Sequence, residues 1–155
     1  GIPVLIYRLN YALELRYGVL VDIARKIQSG EPLDRSVGAF NFIWQGDAAN
    51  IALLCLEHCA SPPAILNVTG PSIFRMEDAA LELGRLMNRP VQFSGRDSGR
   101  TYLADASRCA KLFGPPRVPA DQVLAWLADW IQKDRPTLGK PTHFQVTDGQ
   151  FLDQP

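Results

Sequence analysis

Hydrophobic and polar positions change period along this chain, and the clearest change falls in residues 40–60. Phe40, Phe42 and Trp44 alternate with their neighbours as in a β-strand, and a long apolar helix follows. Asp47 lies between the two, and its carboxylate is a candidate helix cap. Because apolar residues surround the helix on nearly all sides, the pattern predicts a helix buried between a sheet and neighbouring elements.

Two further apolar runs, residues 4–9 and 64–68, are typical of strands in a parallel sheet covered on both faces. Helical spacing of apolar residues occurs in four more stretches, namely 18–29, 72–87, 105–112 and 119–131. Ser72 and Asp105 are candidate caps of the second and third of these helices. Strands that alternate with helices in this way are typical of an α/β fold.

Length and charge narrow the functional class. The 155 residues fit one domain, with 16 basic and 16 acidic side chains that leave no net charge. No whole-molecule field therefore attracts nucleic acid or an anionic membrane. The sequence lacks both an apolar run of the ~18 residues that a membrane span needs and a signal-peptide pattern. We expect a cytoplasmic protein that binds neither nucleic acid nor membrane. Because the chain begins without methionine and soon enters a strand, we also expect a fragment.

The residues that usually carry metal or hydrolytic chemistry are few. The cysteines, Cys55, Cys59 and Cys109, form an odd set with too few neighbouring ligands for a metal site, which predicts buried structural thiols. His58 falls on the predicted buried helix, so a hydrolase would depend on His143. Neither a G-x-S-x-G elbow nor a glycine-rich phosphate loop follows any predicted strand.

Candidate binding residues follow the two predicted parallel strands. Asn10 and Tyr11 come after the first strand, and Thr69 and Gly70 come after the second. In open α/β sheets, ligands bind beyond the carboxyl ends of the strands. The alternative is an ordinary strand end with a capping Asn and a packed Tyr. A polar loop at 94–101 carries two glycines and two arginines, and it can either hold an anion or lie solvated.

Three segments follow one another in a recognisable order, FNFIWQGDAANIALLCLEH, ILNVTGPSIFRMEDAALELGRLMN and DASRCAKLFGPPRVPADQVLAWLADWI. Their order resembles the C-terminal half of the extended short-chain dehydrogenase/reductases, the NAD-dependent epimerase/dehydratase family, with Asp47 at the family's Asp. The resemblance covers nearly the whole chain. It implies the substrate-binding part of a Rossmann-like α/β fold over residues 1–135, with a few short, mostly parallel strands and about five helices. Residues 136–155 would form an irregular tail.

The family binds NAD(P) through an N-terminal glycine-rich turn and uses a Tyr-x-x-x-Lys pair, the tyrosine acting as acid or base. This sequence contains neither feature. The resemblance therefore implies the substrate-binding portion of an NAD(P)-dependent epimerase, dehydratase or reductase. Its substrate would be a sugar-like or other small molecule that reacts at a hydroxyl or carbonyl. The chain alone would be inactive and bind no cofactor, and the parent protein would bind NAD or NADP.

The same resemblance implies roles for individual residues. The segment of Arg8, Leu9, Asn10 and Tyr11 is similar to the one after the family's catalytic helix, where an Asn meets the substrate and nearby backbone meets the nicotinamide. Asn10 and Tyr11 are thus implied substrate contacts, and Arg8, Leu9 and Tyr11 implied cofactor contacts. The family's usual Tyr-Gly-Pro is missing here.

The family commonly binds a sugar nucleotide's phosphate through an arginine just before the central strand's Asp, and this chain has no arginine at that position. That position falls near Ala39 and Phe40, which counts against a nucleotide-diphosphate sugar because an apolar side chain cannot clamp a phosphate. Arg96 or Arg100 from the later loop could compensate. Both are therefore included among the candidate substrate contacts.

Without the cofactor domain, the two parallel strands lack partners for their edges and apolar faces. We therefore expect the chain to pair, either with a second copy or with an N-terminal nucleotide-binding half. A second hypothesis is a non-catalytic binding or interaction module derived from the same fold.

Overall fold

The computed structural model describes residues 1–140, 142 and 144, and within them it contains nine short strands and five α-helices. The strands are β1 Leu5–Leu9, β2 Ala12–Leu13, β3 Leu33–Asp34, β4 Val37–Phe40, β5 Ile43–Trp44, β6 Ala64–Val68, β7 Phe74–Arg75, β8 Phe93–Ser94 and β9 Arg100–Tyr102. The helices are α1 Val19–Ser29, α2 Gln45–Leu54, α3 Met76–Leu86, α4 Ser107–Phe113 and α5 Ala120–Gln132. A 3-10 turn, Cys55–His58, extends α2.

The strand pairs are mostly parallel, as the sequence predicts. Strands β1 and β6 pair in parallel over their whole length, and so do β2 with β5 and β3 with β8. Strand β4 also pairs in parallel with β9, with a shift of register between Val37 and Ala39. Only β7 pairs antiparallel to its neighbour, β4, among the strand pairs of the described residues. The predicted α/β class is confirmed.

Helices α1, α3 and α5 pack together and form the larger part of the core. Leu20 and Ile23 of α1, Leu83 of α3 and Leu127 of α5 are each 0% exposed. In α1 the buried residues Leu20, Ile23, Ala24 and Ile27 recur every three or four positions, as they must to lie on one helical face. Gly30 then ends α1 in the left-handed conformation that glycine adopts most readily.

A smaller core lies between α2, β6 and α4, where Ile51 and Cys55 pack with Leu66 and Cys109. The opposite side of α2 is open, and Leu53 is 70% exposed. The prediction of a helix buried on all sides is therefore wrong for this chain. The apolar pattern is real, but the described residues supply a neighbouring layer on one side of α2 only.

The sheet of β1 and β6 is open in the same way. Ile6 and Ile65 face each other in register on one side of the sheet, and they are 44% and 41% exposed. The prediction that both faces of these strands are covered is wrong, since helix α2 covers only the side on which Leu66 lies.

Two helix starts differ from the sequence predictions. Asp47 lies inside the first turn of α2 without capping it, and its Oδ2 instead accepts a hydrogen bond from the Val118 N–H at 2.9 Å. Helix α3 begins at Met76, four residues beyond Ser72, because Phe74 and its neighbour pair with β4. Both predicted caps are wrong.

The start of α4 lies one residue beyond the prediction, because Ala106 rather than Asp105 is the N-cap. The carboxylate of Asp105 accepts the Ser107 N–H at 2.8 Å at the beginning of the helix. This hydrogen bond from the backbone lowers the pKa of Asp105, because it stabilises the ionised form.

The cysteines are free, with Cys55 and Cys109 buried and Cys59 half-buried. Burial raises the pKa of both buried thiols. In contrast, His58 is exposed rather than buried, and its ring lies 5.2 Å from that of Phe113. His143 lies outside the described residues.

The described part of the tail lies against α1. The Leu138 N–H donates to the Arg16 carbonyl at 2.9 Å, and Thr142 donates to the Asp22 carboxylate from its N–H and its hydroxyl, at 2.9 and 2.6 Å. None of the helices in residues 1–140 is long and apolar enough to cross a membrane.

Candidate functional site

The candidate site lies where β1 and β6 end side by side. The Asn10 N–H donates to the Val68 carbonyl at 3.0 Å, which joins the two strand ends. The parallel register thus brings Asn10 and Tyr11 next to Thr69 and Gly70, as expected for a parallel pair.

The backbone of this edge is unusual at two residues. Tyr11 has a φ of +41°, which bulky side chains rarely adopt and which costs on the order of 1–3 kcal/mol. Gly70 donates its N–H to the Phe42 carbonyl at 3.0 Å, and a Cβ at Gly70 would collide with that same oxygen. Thr69 is 3% exposed, and its hydroxyl has no partner. Strain and an unsatisfied hydroxyl at one edge are features that functional sites often share.

Asn41, between β4 and β5, joins the strand ends to the segment before α4. Its Oδ1 accepts from Asn10 Nδ2 at 2.7 Å and from the Ala104 N–H at 3.2 Å. Its Nδ2 donates to the Ala104 carbonyl at 2.9 Å and to the Gly70 carbonyl at 3.3 Å. Since Asn41 is only 4% exposed, these bonds satisfy a buried amide and fix the relative positions of three loops.

Aromatic rings pack around Tyr11. Its ring meets those of Phe40 and Tyr102 edge to face, with centroids 6.1 Å apart in both pairs. Burial raises the pKa of Tyr11 to about 12, with a smaller contribution from Tyr102. The phenol is therefore neutral at physiological pH and can donate a hydrogen bond.

The two arginines of the 94–101 loop differ in their position relative to this edge. Arg100 begins β9, and its strand partner on β4 is Val37. Two residues later on β9, Tyr102 reaches Tyr11. Arg96 is exposed in the loop before β9, and within residues 1–140 no hydrogen bond or ion pair joins it to Asn10 or Tyr11. Anion binding by Arg96 and Arg100 stays a prediction.

Asp97 orders the loop that carries Arg96. Its Oδ1 accepts the Gly99 N–H at 2.8 Å, and its Oδ2 lies 3.9 Å from Arg75 Nη2. The loop therefore has a defined local structure at its tip, although its residues are exposed.

The implied cofactor contacts lie on β1 itself. Arg8 pairs in register with Asn67 of β6, and Leu9 is 48% exposed. Within the described residues, β6 is the only strand that pairs with β1, so the other edge of β1 is open. A cofactor contact at Arg8, Leu9 or Tyr11 stays a prediction.

Two clefts flank Asn41 and Gly70. The first, of about 190 Å³, is walled by aromatic and proline side chains that include Phe42, Trp44 and Pro116. The second, of about 400 Å³, runs past Asn41 and has Ile73, Leu103, Asp105 and Ser107 in its walls. Both clefts combine apolar walls with a few polar groups, which is typical of small-molecule sites.

Two residues of this edge, Asn41 and Tyr102, were not among the predicted site residues. A lone amide between Phe40 and Phe42 was the available signal for Asn41, because a polar side chain amid buried aromatics must find hydrogen-bond partners. For Tyr102 the sequence holds no comparable signal, since its contact with Tyr11 depends on how β9 pairs with β4.

Comparison with known proteins identifies solved structures that share this fold. No protein-family model and no curated protein matches the sequence. Solved structures do match, with the UDP-glucuronic acid 4-epimerase of Bacillus cereus, in complex with UDP-glucuronic acid and NAD, at a TM-score of 0.70 and 17% identity. The match covers 85% of this chain and 46% of the epimerase. The chain has the fold of the C-terminal part of an extended short-chain dehydrogenase/reductase.

Two other solved structures agree. The Bordetella bronchiseptica enzyme WbmG, with NAD and UDP, matches at a TM-score of 0.66 and 20% identity over 88% of this chain and 46% of its own. The dTDP-glucose 4,6-dehydratase of Bacillus anthracis, with NAD, matches at a TM-score of 0.64 and 15% identity. This match covers 84% of this chain and 44% of the dehydratase. The resemblance noted from the sequence is confirmed at the level of fold. The chain spans less than half the length of these proteins.

Proposed function

We propose that this chain is the substrate-binding C-terminal portion of an NAD(P)-dependent epimerase, dehydratase or reductase. The substrate is a sugar-like or other small molecule that reacts at a hydroxyl or carbonyl. The observation that carries the proposal is the juxtaposition of Asn10, Tyr11 and Gly70 at the carboxyl edge of β1 and β6. Solved proteins of the same fold contain NAD, and some contain UDP or a UDP-sugar as well.

In this proposal, Asn10 and Tyr11 contact the substrate beside the strand ends. Arg96 and Arg100 supply positive charge for an anionic part of the substrate. Arg8, Leu9 and Tyr11 border the nicotinamide of NAD or NADP. The sequence itself offers neither a glycine-rich turn nor a Tyr-x-x-x-Lys pair, so no catalytic residue is assigned to this chain.

The partner in this proposal is an N-terminal nucleotide-binding half, whose sheet continues from the open edge of β1. Two observations support it. The apolar side chains of Ile6 and Ile65 lie uncovered beside that edge. The similar solved proteins are more than twice as long as the part that this chain matches. An unpaired edge next to an apolar face is the surface that sheet extension buries.

The test begins with the intact mass of the native protein, recovered from its source cells by a peptide from residues 40–60. We expect a mass near twice that of this chain. Titration of NADH into that full protein should quench its tryptophan fluorescence, whereas the same titration of this chain alone should not. A native mass equal to that of this chain contradicts the proposal.

The second candidate is a non-catalytic binding module, and the exposed apolar surface favours it. Leu53 and Leu56 are each 70% exposed on one side of the molecule. Monomeric proteins rarely expose such groups in a contiguous patch without a partner. If the native mass equals that of this chain, sedimentation would then show whether a second copy covers this surface.

A further inference from the structure

The orientation of the Asn41 amide follows from the backbone alone. Ala104 contacts Asn41 twice, donating its N–H to Oδ1 at 3.2 Å and accepting from Nδ2 at 2.9 Å with its carbonyl. A backbone N–H can only donate and a carbonyl can only accept, so exchanging the two ends of the Asn41 amide would break both bonds. The carbonyl of Gly70, 3.3 Å from Nδ2, favours the same orientation.

Asn41 in turn fixes the amide of Asn10. Asn10 Nδ2 lies 2.7 Å from Asn41 Oδ1, 3.3 Å from the Asn41 carbonyl and 3.4 Å from the Tyr102 carbonyl. All three neighbours are acceptors, so the opposite orientation would set an oxygen against three oxygens. Losing such bonds in a partly buried site costs about 1–3 kcal/mol, which is enough to hold one orientation.

The remaining atom of the Asn10 amide, Oδ1, has no donor among the described residues. Asn10 is half-buried, and its Oδ1 is not enclosed in the way that the Thr69 hydroxyl is. A carbonyl oxygen held in one direction at the open edge of a site accepts hydrogen bonds and repels the lone pairs of an anion.

We infer that Asn41 is a positioning residue that makes Asn10 a fixed acceptor, so that this point of the site binds the hydroxyl of a neutral polyol or sugar and not a phosphate. The inference rests on the proposed function, because that function places the ligand at this edge. It adds to the proposed function by stating which part of the ligand each part of the site binds. Asn10 receives a hydroxyl, and an anionic group of the same ligand lies elsewhere.

Nuclear magnetic resonance of the isotope-labelled chain tests this directly. The Asn10 side-chain N–H protons should exchange slowly with water, because both lie against carbonyl acceptors. Millimolar methyl β-D-glucopyranoside should shift the Asn10 amide resonances, and equal concentrations of inorganic pyrophosphate should leave them unchanged. Rapid exchange, a response to pyrophosphate, or no response to the glycoside would each overturn the inference.

Variants of Asn41 separate positioning from structure. Asn41→Leu removes the acceptor that holds Asn10, so the glycoside should bind about five- to tenfold more weakly, as expected from losing one oriented hydrogen bond. Asn41→Asp keeps an oxygen for Asn10 and for the Ala104 N–H, but it sets its second oxygen against the Ala104 and Gly70 carbonyls. It should therefore be less stable than the parent chain and, where it folds, still show slow exchange at Asn10, which Asn41→Leu should not. If neither variant folds, hydrogen exchange and the ligand response of the unaltered chain still decide whether Asn10 is held as an acceptor of a ligand hydroxyl.

The outcomes also separate this inference from the proposed function. A shift of Asn10 by pyrophosphate would overturn the acceptor role and leave a ligand site at this edge. A native mass equal to that of this chain would contradict the proposed function without changing the direction of the Asn10 amide.

Discussion

The layer of α1, α3 and α5 and the sheet of β1 and β6 both carry apolar side chains, but these side chains differ in exposure. Leu20 and Leu83 are 0% exposed in the helical layer, whereas Ile6 and Ile65 are 44% and 41% exposed on the sheet. The helices find all their neighbours within this chain. The sheet finds a neighbour on one face only. An apolar pattern therefore indicates that a surface favours burial, without showing whether this chain supplies the segment that buries it.

The largest effect should come from the closed region. Leu83→Ala empties a fully buried position between α3 and its neighbours, and we expect it to lower the free energy of unfolding by about 2–5 kcal/mol. Leu81→Ala on the same helix is the matched control, because Leu81 is 53% exposed. Its effect should stay within about 0.5–1 kcal/mol. Urea denaturation of both variants measures the difference, and equal losses would contradict a closed helical layer.

The same comparison explains how far the sequence could predict the fold. Periodicity predicted α1, β1 and β6 because each is one continuous segment with its own pattern of apolar residues. It misplaced the start of α3, because pairing of Phe74 with β4 is a long-range event that overrides a Ser72 cap. It predicted full burial of α2, because the pattern of apolar residues does not show whether this chain supplies a layer on each side of the helix.

The candidate site was partly predictable for a similar reason. Asn10 and Tyr11 follow a recognisable strand, so topology alone placed them at a carboxyl edge. The link through Asn41 joins segments that are 31 and 63 residues apart in sequence. No spacing rule connects such positions, and only the folded structure shows that the Asn10 amide is held from one side.

A smaller effect should appear at high pH on the closed face of β1. Burial raises the pKa of Tyr7 to about 12, as do the nearby Cys55 and Cys109 thiols, and the Tyr7 hydroxyl donates to the Ala48 carbonyl at 2.8 Å. The raised pKa means that its contribution to stability is complete below pH 10.0, the unfolded value, and is lost as pH rises toward 12. The free energy of unfolding should therefore fall across this window.

Tyr7→Phe provides the check on that decline. The variant loses a hydrogen bond worth about 0.5–1.5 kcal/mol at neutral pH. It also has no phenol to ionise at position 7, so its stability should fall less steeply between pH 10.0 and about 12 than that of the parent chain. Urea midpoints across this range measure both slopes, and parallel slopes would contradict a raised pKa at the half-buried Tyr7.

The smallest change in stability should come from the open face of the sheet. Replacing Ile6 and Ile65 together by Thr keeps β-branched side chains on paired strands while removing exposed apolar surface. We expect the free energy of unfolding to change by less than about 1 kcal/mol, because both positions contact solvent. Binding of a hydrophobic fluorescent dye, and any self-association seen by sedimentation, should both decrease.

The matched control for this double variant is Val68→Thr, on the opposite face of the same sheet, where Val68 is 0% exposed. It makes a similar chemical change but buries a hydroxyl, which costs about 1–3 kcal/mol. If Ile6→Thr with Ile65→Thr destabilised the chain as much as Val68→Thr, the face would already be covered within this chain. An unchanged dye signal together with unchanged stability would mean that the open face is not the surface on which a partner sheet docks.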